Sequence, residues 1–217
     1  MCEGAIFTKN DIPICPTTAK TIPESIVTWE EAKRIYKKGI AKNKEIFFNE
    51  FICFYIDDYK FDGERGIWNR YNEALKVIRH FAGVITPDFS TYQDFPYPQK
   101  IYNTYRMRVF GYWLGINGVQ VINNVRWGSS ETFGYCFDGI PKNSIVSIGT
   151  VGGSPRKHID RSRFEIGLFK MVEELEPHTI IVYGSANYPC FDMVREQGIK
   201  VISFQSCTAA YYEGRKP

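Results

Sequence analysis

The stretch that decides the fold reads AGVITPDFS at residues 82–90, QKIYNTYRMRVFGYWL at 99–114 and VQVINNVRWG at 119–128. An apolar strand ending at Thr86 precedes a helical pattern, and a second apolar strand ends at Ile122. Polar residues follow each strand directly. This β-α-β unit predicts a parallel sheet, and ligands bind such sheets at the edge where the strands end.

The same alternation extends in both directions along the chain. Further apolar runs of strand length occupy residues 51–56, 144–148, 179–182 and 200–204. About six alternations of strand and helix predict an α/β fold with a mainly parallel sheet of about six strands and crossover helices. Because a closed barrel of this kind has eight strands, we expect an open sheet or an incomplete barrel.

Prolines and polar residues divide the chain into an arm and a domain. Residues 1–27 have few periodic apolar positions and contain Pro13, Pro16 and Pro23, which predicts an extended N-terminal arm over the surface. Residues 28–217 are expected to form a single α/β domain. The polar residues at its end predict a tail that frays.

Local patterns also predict helix boundaries and faces. Thr28 and Ser162 each precede a glutamate by three residues, a capping box that predicts a helix start. In the helix at 99–114, apolar residues four apart predict the buried stripe. Arg106 and Arg108 fall off that stripe.

Composition places the chain among ordinary globular proteins. Its 217 residues are 44% hydrophobic and 24% charged, with a net charge of +3 that does not require nucleic acid. No apolar run approaches the roughly 20 residues that span a bilayer, and no signal peptide is visible. We therefore expect a soluble, cytoplasmic protein without a membrane partner.

Three carboxylates follow strands and suggest a metal site. Asp57 and Asp58 end one strand and Asp88 follows another, so all three should lie near each other at one edge of the sheet. Carboxylate oxygens are ligands for divalent Mg or Mn. The alternative is that these residues open turns, as aspartate often does.

A second group of polar residues suggests a ligand pocket at the same edge. Asn123, Asn124, Arg126 and Trp127 follow one strand, and an arginine beside an aromatic ring can bind a base or a sugar phosphate. The alternative is a turn with the arginine stacked on the tryptophan. The other strand-end candidates for ligand contacts are Asp88, Ser90, Tyr183 and Ser185.

A glycine-rich loop with basic residues follows the strand at 144–148. Gly152 and Gly153 let backbone amides approach an anion, and Arg156 and Arg161 add positive charge. The spacing is not that of a Walker motif, and a solvated loop is the alternative. His158, in the same loop, is the histidine to test as an acid or base.

Several segments in order resemble a family of uncharacterised bacterial and bacteriophage proteins that is described only as a domain of unknown function. They are GVITPDFS at 83–90, the strand at 121–127, FDGIPK at 137–142, the glycine loop at 149–153 and the tripeptide at 182–184. The resemblance covers about residues 81–185. It implies a phage or mobile-element setting and assigns no activity.

Three hypotheses of function follow from these residues. The leading one is a phage-type protein that binds a nucleotide or other phosphorylated small molecule at the strand-end edge. The second is a metal-dependent phosphoesterase or nuclease that uses the three aspartates. The third is an inhibitor of a host protein, and nucleic acid also stays open as a partner. No catalytic residue is assigned, so enzymatic activity is left open.

Overall fold

The computed structural model describes residues 1–41, 46–151 and 158–214, with only the backbone at 158, 159 and 208. Strands and helices alternate along this part of the chain. The strands are β1 Ile26–Thr28, β2 Phe48–Cys53, β3 Phe81–Ile85, β4 Val121–Asn124, β5 Ile145–Gly149, β6 Thr179–Tyr183 and β7 Lys200–Phe204. The helices are α1 Trp29–Ile40, α2 Tyr71–Ile78, α3 Tyr97–Ile116, α4 His158–Leu175, α5 Pro189–Glu196 and α6 Cys207–Glu213.

The described strands form one parallel sheet in the order β1-β2-β3-β4-β5-β6-β7, each beside its neighbour in sequence. The sheet is curled and open, a half-barrel with β1 and β7 at its edges. The predicted incomplete barrel is confirmed, with seven strands rather than about six. The additional strand, β1, lies at the end of the segment predicted to be an arm.

Apolar side chains fill both faces of the sheet. The convex face packs against the helices in two clusters, one around α1, α2 and α3 and one around α4 and α5. The concave face carries a smaller cluster that includes Phe51, Ile122 and Ile181, against which Ala19 and Ile22 of the arm pack. No helix in the described residues has the length and apolarity needed to span a bilayer.

The N-terminal arm is part of the core. The connection from β4 to β5 contains a short 3-10 helix, Ser130–Gly134, and no α-helix. Arm residues pack in the helical layer beside this connection, where Ile12 and Cys15 are fully buried. The Cys15 amide donates to the Gly139 carbonyl at 2.8 Å. The arm therefore fills space that a crossover helix would otherwise occupy.

Helix α3 is buried on several sides, including the positions of Arg106 and Arg108 that lie off the predicted apolar stripe. Arg108 is fully buried, and Arg106 is 9% exposed with its guanidinium 3.8 Å from the centre of the Phe89 ring. Packing against the sheet, the arm and the neighbouring loops covers more of this helix than one stripe.

Three predicted boundaries also differ from the structure. Strand β2 is Phe48–Cys53 instead of residues 51–56, so Asp57 and Asp58 follow it after three further residues and not directly. Helix α4 begins at His158, so Ser162 lies inside the helix and does not cap it. Residues Cys207–Glu213 form α6 instead of a fraying tail, because the Ser206 side chain caps the helix by accepting from the Ala209 amide at 3.2 Å. The Thr28 cap is confirmed, since its hydroxyl accepts from the Glu31 amide at 3.4 Å.

Candidate functional site

The ends of the central strands converge on a buried polar network. The Tyr55 hydroxyl, just after β2, donates to Asn124 Oδ1 at 2.9 Å and lies 2.8 Å from Ser147 Oγ. Asn124 in turn donates to Asp88 Oδ1 at 2.9 Å and to the Pro87 carbonyl at 3.3 Å. This network fixes the position of Asp88 beside β4, because each polar group in it has a defined partner.

The two asparagines are strand residues, which corrects their predicted location after the strand. Asn123 and Asn124 end β4 and are fully buried. Asn123 donates to the Cys15 carbonyl at 2.7 Å and thus anchors the arm, whereas Asn124 belongs to the buried network. Neither amide lies on the open surface of the edge.

Ion pairs and hydrogen bonds hold the carboxylates at this edge. Arg126 Nη1 donates to Asp88 Oδ2 at 3.2 Å, and both side chains are largely buried. The two oxygens of Asp58 accept from the Ser90 hydroxyl at 2.7 Å and the Ser90 amide at 3.0 Å. Burial raises the pKa of Asp58 and nearby Asp88 adds to the rise, while the Ser90 hydrogen bonds and Arg126 oppose it.

Asp58 should therefore make stability depend on pH. Because its pKa is higher in the folded than in the unfolded protein, folding takes up a proton as the pH falls from neutral towards the ordinary pKa of 3.8. The free energy of unfolding of the wild type, relative to Asp58→Asn, should rise over that range. Urea unfolding of both proteins at several pH values measures this difference. A difference that is constant or falls with decreasing pH would contradict the raised pKa.

A first cavity lies among these carboxylates and is named the acidic cavity. It measures about 250 Å³. Its charged lining residues are Glu30, Asp57, Asp58, Lys60, Asp88 and Arg126, and Tyr55 and Tyr183 form an aromatic wall. The two tyrosine rings stack with their centres 5.2 Å apart. The structure thus brings together the three predicted aspartates, Ser90 and Tyr183.

A second cavity, also of about 250 Å³, adjoins the first and is named the arginine cavity. Its lining includes Thr91, Tyr92, Gln93, Arg126, Trp127, Asp160, Arg163 and Phe164. Tyr92 and Arg126 line both cavities. As expected from the sequence, Arg126 and Trp127 face a pocket, although Trp127 is half-buried and its ring packs 5.5 Å from that of Phe164.

The geometry does not strengthen the metal hypothesis. Among the residues described, no group of three or more histidine, cysteine, aspartate or glutamate side chains is arranged to hold a metal ion. Asp58 already accepts from Ser90, Asp88 accepts from Asn124 and Arg126, and Asp57 pairs with Lys60 at 3.6 Å. The Mg or Mn site, and the phosphoesterase or nuclease that depends on it, stay predictions.

The predicted anion loop lies mostly outside the described residues. The undescribed range 152–157 includes Gly152, Gly153 and Arg156, so the predicted contact of their amides with an anion also lies outside the described residues. The side chain of His158 is likewise not described. Arg161 lies within α4. Burial raises the pKa of the nearby Cys190 thiol, and the charge of Arg161 partly opposes that rise. The cation that α4 contributes to the arginine cavity is Arg163.

The two candidates after β6 have different surroundings. The Tyr183 hydroxyl accepts from the Cys207 amide at 3.1 Å and lies 3.3 Å from the Cys207 sulfur. Ser185 is exposed, and its hydroxyl accepts from the Asn187 amide at 3.2 Å while its carbonyl accepts from Thr150. Tyr183 therefore lines the acidic cavity, whereas Ser185 stabilises a turn.

Sequence reasoning missed several residues of this edge. Tyr55 gave no signal because it lies inside the continuous apolar run at 51–56, where a buried core residue is expected. Thr91 is 3% exposed, and its hydroxyl has no hydrogen-bond partner among the described residues. For Thr91, the only indication in the sequence was its position as a polar residue directly after Ser90. An unpaired buried hydroxyl is unfavourable by about 1–3 kcal/mol, which makes Thr91 notable beside a cavity.

The fold and its edge define a class: an incomplete parallel α/β barrel with two adjoining cavities at the strand ends. The chain belongs to the family described as "Domain of unknown function (DUF4417)", whose model matches residues 7–206. The predicted family resemblance is thereby confirmed, over more of the chain than residues 81–185. No solved structure matches this chain.

Curated relatives of this chain come from bacteriophages. The Gene 1 protein of Mycobacterium phage D29 is 32% identical over 178 residues, which cover 82% of this chain and 61% of the phage protein. The Gene 1 protein of Mycobacterium phage L5 is 32% identical over 172 residues, which cover 79% of this chain and 70% of the phage protein. The phage association is confirmed, while a mobile-element setting stays a prediction.

Proposed function

We propose that this chain binds a nucleotide or another phosphorylated small molecule in the arginine cavity. The observation that carries the proposal is a cavity lined by two arginines and by Thr91, whose buried hydroxyl has no hydrogen-bond partner among the described residues. A buried hydroxyl without a partner is unfavourable in the empty site and can donate to an oxygen of a ligand. Phosphate oxygens accept hydrogen bonds from hydroxyl and guanidinium groups alike.

The charges of the cavity support an anionic ligand. Arg163 is exposed and donates to Gln93 Oε1 at 2.7 Å. Arg126 forms its ion pair with Asp88, which lines the acidic cavity. A guanidinium has five N–H donors, so one hydrogen bond to Gln93 leaves Arg163 able to bind phosphate through its remaining N–H groups. Asp160 provides one carboxylate against these two cations.

The aromatic lining supports a ligand with a flat apolar part. Trp127 and Tyr92 contribute exposed or half-buried rings to the same cavity, and Phe164 packs behind Trp127. Aromatic faces stack on nucleobases with a gain of about 1–3 kcal/mol per base. Because the cavity combines cations with aromatic rings, it suits a nucleotide, which has both a phosphate and a base, better than it suits inorganic phosphate.

A thermal-shift panel tests the proposal with mononucleotides, cyclic nucleotides, dinucleotides and sugar phosphates. A compound present at 100 times its dissociation constant should stabilise the fold by about 2.7 kcal/mol. Arg163→Gln should abolish most of this stabilisation, and added salt should weaken it because exposed charges are screened over roughly 8 Å at physiological ionic strength. Arg195→Gln is the matched control, since Arg195 is an exposed helical arginine in an ion pair outside both cavities.

The variant Thr91→Val separates binding from packing in the same panel. Valine has nearly the shape of threonine without the unpaired hydroxyl, so the melting temperature without ligand should stay equal or rise. Ligand-induced stabilisation should fall if the hydroxyl contacts the ligand. The proposal fails if no phosphorylated compound stabilises the wild type, or if one stabilises Arg163→Gln equally well.

A further inference from the structure

The two cavities adjoin at one cationic side chain. Arg126 and Tyr92 line both, and Arg126 contacts Asp88 on the acidic side. A ligand bound at Arg126 therefore lies within reach of both linings. Carboxylate oxygens line the acidic cavity and two arginines line the arginine cavity, so the two linings can contact different parts of one molecule.

Two cations compensate part of the negative charge of the four carboxylates that line the acidic cavity. Lys60 pairs with Glu30 at 3.1 Å and with Asp57 at 3.6 Å, and Arg126 pairs with Asp88 at 3.2 Å. Asp58 is held by Ser90 instead of a cation. With four carboxylates against two cations, the cavity has an excess of acceptor oxygens to which hydroxyl groups can donate.

The acceptors are fixed in position before a ligand arrives. Ser90 orients Asp58, and Asn124 and Arg126 orient Asp88. An ionised carboxylate offers about four acceptor positions, so each group can accept further hydrogen bonds. Carboxylates held beside a nucleotide site commonly bind ribose hydroxyls, because a hydrogen bond to a charged acceptor is strong.

We infer that the ligand is a ribonucleotide whose 2′-hydroxyl binds Asp58 and whose 3′-hydroxyl binds Asp88 in the acidic cavity. In a 5′-nucleotide these hydroxyls project from the face of the ribose opposite to the base and the phosphate-bearing carbon. A ribose at Arg126 can thus direct its hydroxyls into the acidic cavity while base and phosphate occupy the arginine cavity. This inference rests on the proposed function and adds the class of sugar.

Calorimetric titration of the full chain with AMP, GMP, CMP and UMP and their 2′-deoxy counterparts tests the inference. The base that binds best should show at least about tenfold tighter binding of its ribonucleotide, as expected for one lost hydrogen bond to a charged group. Asp58→Asn should reduce this ratio below about threefold, with little change in affinity for the deoxynucleotide. Asp192→Asn, at an exposed carboxylate outside both cavities, should keep the wild-type ratio.

The outcomes separate this inference from the proposed function. Equal binding of ribonucleotides and deoxynucleotides by the wild type overturns the inference and leaves the proposed function standing. A tenfold ratio that persists in Asp58→Asn overturns the role of Asp58. If no nucleotide binds the wild type, both fall. The wild-type comparison decides the class of sugar even if Asp58→Asn does not fold.

Discussion

Replacing Arg108 with methionine is expected to lower the free energy of unfolding by about 3 kcal/mol. Its guanidinium is fully buried and donates to the carbonyl oxygens of Asp138, Asn124 and Cys136 at 3.0, 3.0 and 3.2 Å. Methionine fills similar space but leaves three buried acceptors without donors. The free energy of unfolding from urea titration, followed by tryptophan fluorescence, gives the measurement.

Two further variants identify the cause of the loss. Burial lowers the pKa of Arg108 to about 10, so the group stays charged at neutral pH. Arg108→Lys keeps a charge but not the planar fork that serves three divergent carbonyls, and it should lose most of the same stability. Arg34→Met, at a largely exposed arginine, should change stability by less than about 0.5 kcal/mol. A loss below about 1 kcal/mol in both Arg108 variants would contradict this role.

Arg108 also links the core to the candidate site. It holds the main-chain carbonyl of Asn124, whose side chain positions Asp88 and Tyr55. The buried polar network and the carboxylate at the cavity therefore share one support. A residue that lies off the predicted apolar stripe of α3 thus positions the edge where the sequence predicts ligand binding.

The regular part of the fold was predictable because its signals are local. Apolar runs followed directly by polar residues identified β2 to β7, and the capping box identified the start of α1. Strand β1 was missed since its three residues are too few to form a pattern. Helix α6 was missed because much of its surface is exposed and its sequence reads as a polar tail.

The sequence predicted only the location of the candidate site, at the edge of the sheet where the strands end. Parallel strands place Asp58, Asp88 and Arg126 together, as their positions after strands indicated. The hydrogen-bond partners of these residues depend on tertiary packing, which no local sequence pattern contains. Ser90 donates to Asp58, and Asn124 lies between Asp88 and Tyr55 and bonds to both. The same limit applies to Arg106 and Arg108, whose burial depends on elements distant in sequence.

The contact between the N-terminal arm and Gly139 requires a glycine at that position. Gly139 has a φ of +73°, and a Cβ there would collide with the Pro13 carbonyl oxygen and closely approach Arg108 and Ile12. Its own carbonyl accepts from the Cys15 amide at 2.8 Å. The backbone of the arm can therefore pack this closely only against a residue without a side chain.

Gly139→Ala is accordingly expected to lower the free energy of unfolding by about 3 kcal/mol, from left-handed backbone strain and from the collision with the arm. Gly198→Ala is the matched control, since Gly198 has a φ of +82° but nothing within 4 Å of the position that a Cβ would take, and it should lose only about 1 kcal/mol. The difference between the two, measured by urea unfolding, isolates the collision. Limited proteolysis should also cleave the arm faster in Gly139→Ala alone. Equal losses in both variants would mean that the arm yields to the added methyl group without cost, and that its contact with Gly139 does not stabilise the fold.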